Sequence, residues 1–222
     1  MKVNWLERLW VNSPVRLLVQ KHEAGFFKRL RAMTPGGHVL EIGCGRGVGA
    51  DLILSVFRPR RVDALDVDHG MIRLAKRRRP SQADGYLFFY VADAQYLPYP
   101  DACLDAIFNF GIIHHLEDWE RGVREIARVL KPGGGFYFEE IYPPLYANPL
   151  FRHLLDHPTA NRFHGPEFRA AVRAAGLSLI PGYRETPFGI LGVAVKKRSA
   201  HGSSAPQGSH AQKASLPRAP AG

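Results

Sequence analysis

Apolar positions along this chain recur with two alternating periods. His38–Ile42, Arg61–Asp66, Tyr86–Val91, Cys103–Ile113, Gly135–Ile141, Leu177–Tyr183 and Phe188–Val195 are apolar runs. Runs of this length, bounded by glycine, proline or polar clusters, read as buried strands. Between them, Gly47–Val56, Gly70–Arg79, Trp119–Leu130 and Pro166–Ala175 carry apolar residues at helical spacing. Pro132-Gly133-Gly134 and Gly176 stop the last two helices. Strands that alternate with helices predict an α/β fold whose mostly parallel sheet is covered on both faces.

Two segments fall outside that alternation at the start of the chain. Trp5, Leu6, Leu9 and Trp10 share one face of a short helix. Ser13-Pro14 then reads as an N-cap followed by proline at the first helical position. In the helix that follows, Val15, Leu18, Val19, His22 and Phe26 fall on one face, and Thr34-Pro35-Gly36-Gly37 ends it. A further insert, Tyr142 to His164, holds four prolines, several aromatics and a short Leu150–Leu155 helix, a mixture suited to a lid over an apolar or mixed ligand. From about Ser199 the chain is rich in Ser, Ala, Gly, Pro and His without period, and reads as disordered. The expected division is a helical cap over 1–33, a catalytic domain over 34–198 and a tail over 199–222.

Charge sharpens this division. The 222 residues carry 30 Lys+Arg and 20 Asp+Glu, a formal net charge of +10. Residues 1–31 hold seven basic and two acidic residues, residues 196–222 five basic and none acidic, and the remainder 18 of each. A neutral body with basic ends argues against a chain built to coat nucleic acid. Two cysteines make neither a disulfide scaffold nor a cysteine-rich zinc site. No apolar run reaches the roughly 18–20 residues of a membrane-spanning helix. The N-terminal stretch, interrupted by Glu7 and Arg8, does not read as a signal peptide, so a cytoplasmic location is expected.

The candidate chemistry begins at Val39-Leu40-Glu41-Ile42-Gly43-Cys44-Gly45-Arg46-Gly47, a strand running into a glycine turn that opens a helix. In open α/β sheets, ligands bind beyond the carboxyl ends of the strands, and glycines there allow close approach to the backbone. The G-x-G-x-G spacing departs from the G-x-G-x-x-G of dinucleotide sites, and no phosphate-loop motif is present, which disfavours a nicotinamide oxidoreductase. Glu41, two residues before the first glycine, would repel a pyrophosphate and suits a cation. Asp66 closes the next strand, where an acid can take both hydroxyls of a ribose. Asp93-Ala94 stand after the third strand, an acceptor beside a backbone N–H that can read an adenine edge.

These segments, with VADAQYLPYPDACLDAIF, IIHHLEDW and IARVLKPGGGFYFEE, resemble class I S-adenosylmethionine-dependent methyltransferases. They are most similar to the small-molecule and lipid type with UbiE/UbiG-like (type 11) domains. The resemblance covers about residues 36–141. It implies a Rossmann-like three-layer sandwich with a seven-stranded sheet, order 3-2-1-4-5-7-6, its last strand antiparallel. It also implies S-adenosylmethionine as cofactor, with Glu41, Gly43, Cys44 and Gly45 along its methionine part and Asp66 and Val67 at its ribose. Asp93 and Ala94 would meet its adenine, and Asn109 and Phe110 would border the transferred methyl. Asp68 is a rival for the ribose, and Cys44 is expected to pack rather than react.

Methyl transfer from a sulfonium needs alignment and exclusion of water more than acid–base chemistry. No metal is required. Where a base is needed, His114 and His115, just past the fourth strand, are the best placed, with Tyr142 behind them. Glu139 and Glu140 also end a strand and could face a cationic or hydroxylated acceptor. The expected acceptor is an apolar small molecule of quinone, lipid or natural-product type, methylated at O, N or C. The N-terminal helices are read as a cover over the cofactor site or as a peripheral membrane contact. The competing readings are an RNA or protein methyltransferase with basic arms and a non-catalytic binding protein on the same fold. A monomer or a homodimer is expected.

Overall fold

The computed structural model describes residues 13–33, 35–78, 86–146 and 161–198. The expected Trp5–Trp10 helix, the Leu150–Leu155 helix and the tail lie outside these residues. The described chain opens with helix α1 (Pro14–Leu30), then β1 (His38–Ile42), α2 (Val48–Phe57), β2 (Arg61–Asp66), α3 (His69–Arg78), β3 (Leu87–Val91) and β4 (Leu104–Phe110). A 3-10 turn over Ile113–His115 leads to α4 (Trp119–Val129), β5 (Leu130–Ile141) and the short α5 (Pro143–Tyr146). After these come α6 (Gly165–Ala174), β6 (Leu177–Leu179), β7 (Arg184–Thr186) and β8 (Gly189–Lys196).

The sheet runs β3-β2-β1-β4-β5-β8-β6, with β7 also paired to β8. β1 to β5 are mutually parallel where they pair, and β8 is antiparallel to β5, β6 and β7. This is the expected Rossmann-like order, with one modification. The anticipated Leu177–Tyr183 strand ends at Leu179; the chain turns at Gly182 (φ +95°) and re-enters the sheet as β7, a strand not anticipated, along the other half of β8.

Alternation along the strands makes two cores, one on each face. Phe27 of α1, Phe57 of α2, Phe108 of β4 and Tyr137 of β5 pack on one face, with Phe108 stacked on Tyr137 at 4.6 Å and Phe57 4.8 Å from Phe108. Trp119 of α4, Phe168 of α6, Phe163, Phe136 and Phe138 fill the other. Helices α1, α2 and α3 therefore cover one face, and α4 and α6 the other, which gives three layers. Buried Asp63 in β2 ties the first strands together by contacts with His38 (2.8 Å), Arg61 (2.8 Å) and the Tyr99 hydroxyl (2.9 Å). Burial pushes the Asp63 carboxyl up, but these three partners prevail and hold it below the usual carboxylate range.

Three expectations about elements need correction. The strand expected over Cys103–Ile113 stops at Phe110, because Gly111 (φ +78°) turns the chain into the 3-10 turn. The strand expected from Gly135 begins at Leu130, which pairs with Leu104 before a register shift restores pairing at Ala106 and Gly135. The third concerns α1. Its Ser13 cap is as expected, the hydroxyl accepting from Arg16 N at 3.1 Å. Its buried face, however, is Arg16, Glu23, Ala24, Phe26 and Phe27, while Val15, Leu18 and Val19 face outward. An ion pair between Arg16 and Glu23 lets a polar face turn inward, which apolar spacing alone does not reveal.

Candidate active site

The carboxyl ends of β1 to β5 converge on one edge of the sheet, and the residues singled out from sequence gather there. After β1 the loop is fixed by Cys44 N donating to Leu65 O of β2 (2.8 Å). Gly43 (φ +67°) lies so close to Ile112 that a Cβ would overlap its side chain. Gly45 (φ +52°) has nothing within 4 Å of where a Cβ would stand, so its backbone is open to a ligand. Cys44 is buried, and burial with nearby Glu41 and Asp66 pushes its thiol well above its ordinary value. It packs as expected of an unreactive thiol.

Glu41 is fully enclosed. Its carboxylate lies over Gly49 and accepts from Ala50 N at the start of α2. Its Oε2 is buried with no hydrogen-bond partner among the described residues. Burial, reinforced by Asp51 and Asp66, pushes its carboxyl well up. Such an orphaned acceptor suits a cationic ligand group supplying the missing donor. Asp66, at the end of β2, accepts from Gly45 N (2.9 Å) on Oδ2 and from Asp68 N (2.8 Å) on Oδ1. Each oxygen keeps a second lone pair, the acceptor set that a ribose diol requires. Asp68 instead caps its own turn, with Oδ1 taking Gly70 N at 2.7 Å as α3 begins. Between the two acids Val67 is exposed, available to cover a flat ligand.

At the end of β3, Asp93 Oδ1 accepts from Gln95 N (2.8 Å), and the Gln95 amide holds both its oxygens at 3.2 Å. Gln95 Oε1 accepts in turn from Asp118 N, the cap of α4 (2.8 Å). Ala94 is buried beside it.

The ends of β4 and β5 carry two polar clusters on opposite faces. On the α4 face, buried Glu140 accepts from Asn109 Nδ2 (2.6 Å) and Ile113 N (2.7 Å) on Oε1. Its Oε2 meets His114 N (3.3 Å) and His114 Nδ1 (2.7 Å). Asn109 also donates to Glu139 O and accepts from Ile112 N, so its side chain shapes the turn. Burial lifts Glu140 to about 7, against the pull of these donors. Burial, with His115 and Arg16, pushes His114 well below its usual range, so the imidazole is neutral. The His115 ring lies 4.2 Å from that of His114. Tyr142 lies further off, buried, its hydroxyl donating to Glu185 Oε1 (3.0 Å). Burial and Glu185 raise its pKa far beyond the working range.

On the α1 face, Arg16 reaches down from α1. Its Nη1 donates to Glu23 Oε1 (2.7 Å), and its Nη2 to Phe110 O (3.0 Å) and Glu139 Oε2 (3.2 Å). Burial with neighbouring Glu23 lifts Glu139 to about 8 despite Arg16. Sequence reasoning passed over Arg16 and Glu23. Their seven-residue separation on one helix face, with Phe27 four residues beyond Glu23, was the available signal. A separate cleft of about 440 Å³, lined by Arg31, Arg60, Asp105 and Lys131, opens at the amino end of the sheet. That is the edge opposite to the one where such sheets bind ligands.

Residues 40–138 match the methyltransferase domain family. A fatty-acid O-methyltransferase of Mycolicibacterium smegmatis is 36% identical over 128 residues, 58% of this chain and 46% of that protein. The phthiotriol/phenolphthiotriol dimycocerosates methyltransferase of Mycobacterium tuberculosis is 33% identical over 108 residues, 49% of this chain and 39% of that one. The chain thus spans less than half the length of these curated relatives. Geranyl diphosphate C-methyltransferase from Streptomyces coelicolor, solved with S-adenosyl-L-homocysteine, superposes with a TM-score of 0.66 at 16% identity. That match covers 79% of this chain and 76% of the other, and it shows the fold.

The site fits S-adenosylmethionine on its own chemistry. It offers an open glycine turn, a buried carboxylate oxygen lacking a donor, and acids at the ends of β2 and β3. Replacing Asp66 by Ala is expected to weaken S-adenosylhomocysteine binding about 100-fold, since charge-assisted bonds to both oxygens go. Isothermal calorimetry reads this, and an unchanged affinity would place the ribose elsewhere.

Glu139 and Glu140, lifted to about 8 and about 7, keep protons that the unfolded chain releases near its ordinary carboxyl value. The stability they confer is complete below that value and is lost as pH rises through 7 and 8. His114 acts oppositely, but only below its unfolded value of about 6.5. Thermal stability should therefore climb as pH falls from about 8.5 to about 6.5. Glu139→Gln should flatten that slope in differential scanning calorimetry.

Proposed function

We propose, on the premise that residues 40–138 form a class I S-adenosylmethionine-dependent methyltransferase domain, that this protein methylates an apolar, lipid-like small molecule. The observation that carries the reading is the succession of acids at adjoining strand ends: Glu41 on β1, Asp66 on β2 and Asp93 after β3. Glu41 and the loop glycines would hold the methionine part, Asp66 with Val67 the ribose, and Asp93 with Ala94 the adenine. When bound, the cofactor supplies an activated methyl on a sulfonium, transferred in line to the acceptor with a neutral thioether as leaving group. The protein's part is to orient the acceptor and keep water out. The Glu140–Asn109–His114 cluster holds the turn after β4 in shape, and His114 and His115 act there as positioning residues.

The lipid-like acceptor is supported by the relatives named above, two of which carry lipid substrates in their names. A second observation agrees with it. Val15 and Leu18 on α1 are 53% and 65% exposed, Val19 is beside them, and Lys21, Lys28 and Arg29 border the same helix. An apolar stripe with basic flanks is suited to an anionic lipid surface. Among the described residues no helix is long and apolar enough to cross a membrane. The equal count of acidic and basic residues over 32–195 weighs against RNA as acceptor.

Purified protein with radiolabelled S-adenosylmethionine and a panel of quinones, lipids, bulk RNA and protein is expected to label only the apolar small molecules. Labelling confined to RNA or protein would reverse the reading. Sedimentation with phosphatidylglycerol vesicles should fall when Leu18 is replaced by Gln, with no change in S-adenosylhomocysteine affinity.

A further inference from the structure

We propose that Glu139 receives the proton of a neutral hydroxyl acceptor, and that the Glu23–Arg16 pair beside it excludes a carboxylate acceptor. The inference rests on the methyltransferase reading above and narrows its substrate class.

Placement comes first. Along β5, Tyr137 and Glu139 face α1 and α2, while Phe138 and Glu140 face α4. On β1, Glu41 points to the same side as Glu139, and Phe110, the last residue of β4, stands between the two strands in register with Glu139. A Cβ on Gly49 would touch both Glu41 and the Phe110 ring, and one on Gly111 would stand 2.7 Å from Glu139 Oε2. Glu139 therefore lines the same edge as the cofactor loop, against the turn expected to border the methyl. His114 is a poorer proton acceptor for this purpose, because its Nδ1 is on Glu140 and its ring lies across the sheet, on the α4 face.

Charge then selects the acceptor. The Arg16 guanidinium divides its donors among Glu23, the Phe110 carbonyl and Glu139. With Glu139 ionised, as a proton acceptor must be, one cation beside two carboxyl groups leaves the cluster without net positive charge, whether or not Glu23 holds a proton. Glu23 Oε2 is also buried with no partner among the described residues, so the cluster lacks a donor. A hydroxyl brings that donor. A carboxylate brings a further anion into a site without net positive charge, at a penalty of roughly 100-fold or more in binding.

The step balances. The acceptor oxygen uses a lone pair to form the bond to the methyl carbon, and the pair of the broken carbon–sulfur bond stays on sulfur. The O–H bond gives its electrons back to oxygen, and the proton ends on Oε2 of ionised Glu139, the form whose share grows as pH rises toward about 8. A carboxylate acceptor has no proton to give and no use for this residue, so the presence of a proton acceptor argues in the same direction as the charge.

The experiment pairs decanol and octylphenol against decanoate. Labelled methyl transfer is measured, and so is calorimetric binding of each acceptor to the protein saturated with S-adenosylhomocysteine. The expected result is transfer to the hydroxyl compounds and at least 100-fold weaker use and binding of decanoate. Glu139→Gln should lower hydroxyl transfer by about 100-fold or more, leave S-adenosylhomocysteine affinity within about threefold, and leave hydroxyl-acceptor binding nearly intact. Methylation of decanoate on a par with the hydroxyl compounds, or a Gln variant as fast as the parent, overturns the inference alone. Absence of transfer to any of the three, with S-adenosylhomocysteine bound, overturns the apolar-acceptor reading and the inference with it. Should the variant fail to fold, the comparison of acceptors on the parent protein still decides.

Discussion

Burial of carboxylates at the carboxyl edge of the sheet is the constraint around which the active end of this molecule is arranged. Glu41, Glu139 and Glu140 are all enclosed where β1 and β5 end. Removing a carboxylate from water costs on the order of several kcal/mol, and the cost must be met by donors or by keeping a proton. Each of the three meets it differently. Glu140 captures two backbone N–H groups, an amide and an imidazole, and thereby folds the chain after β4 into its 3-10 turn. Glu139 takes a guanidinium from a helix more than a hundred residues away in sequence, which docks α1 on the sheet. Glu41 takes one N–H from the start of α2 and leaves Oε2 without a partner.

The contrast between the adjacent acids of β5 follows from strand alternation. Glu140 is saturated on a face packed with Trp119, Phe163 and Phe168, and its work is internal. Glu139 keeps a side-chain exposure of 17% and, among the described residues, one side-chain hydrogen bond, to Arg16 at 3.2 Å. One residue along a strand thus separates a group that shapes a turn from one that can still exchange its partner for a ligand.

Much of this edge was legible in the sequence, and the reasons are local. The alternation of strands with helices and the glycine turn follow from apolar runs and backbone-permissive residues, which act within a few positions of themselves, whereas the strand order came from the family resemblance. Asp66 was legible because it closes the strand next after the glycine turn, where an acid can take both hydroxyls of a ribose; Asp68 was separable from it only through its bond to Gly70 N. What was not legible depends on partners distant in sequence. The turns at Gly111 and Gly182 that end β4 and separate β6 from β7 are held by distant partners, Glu140 in the first case and pairing along β8 in the second. The orientation of α1 shows the difficulty plainly: Val15, Leu18 and Val19 keep the spacing of a buried stripe, yet Arg16 and Glu23 occupy the inner face. That preference is decided by Phe110 O and Glu139, which no helical periodicity records.

The same helix alters the meaning of the charge balance. Arg16 counts toward the basic excess of residues 1–31, but it is only 11% exposed and spends its charge on Glu23 and Glu139. The positive charge that α1 shows to solvent belongs to Lys21, Lys28 and Arg29, next to an apolar stripe that the core does not use. Since an inward-facing pair fixes how the helix is rotated, it also fixes which residues are left outside. The burial of Arg16 and the exposure of Leu18 are therefore one structural decision.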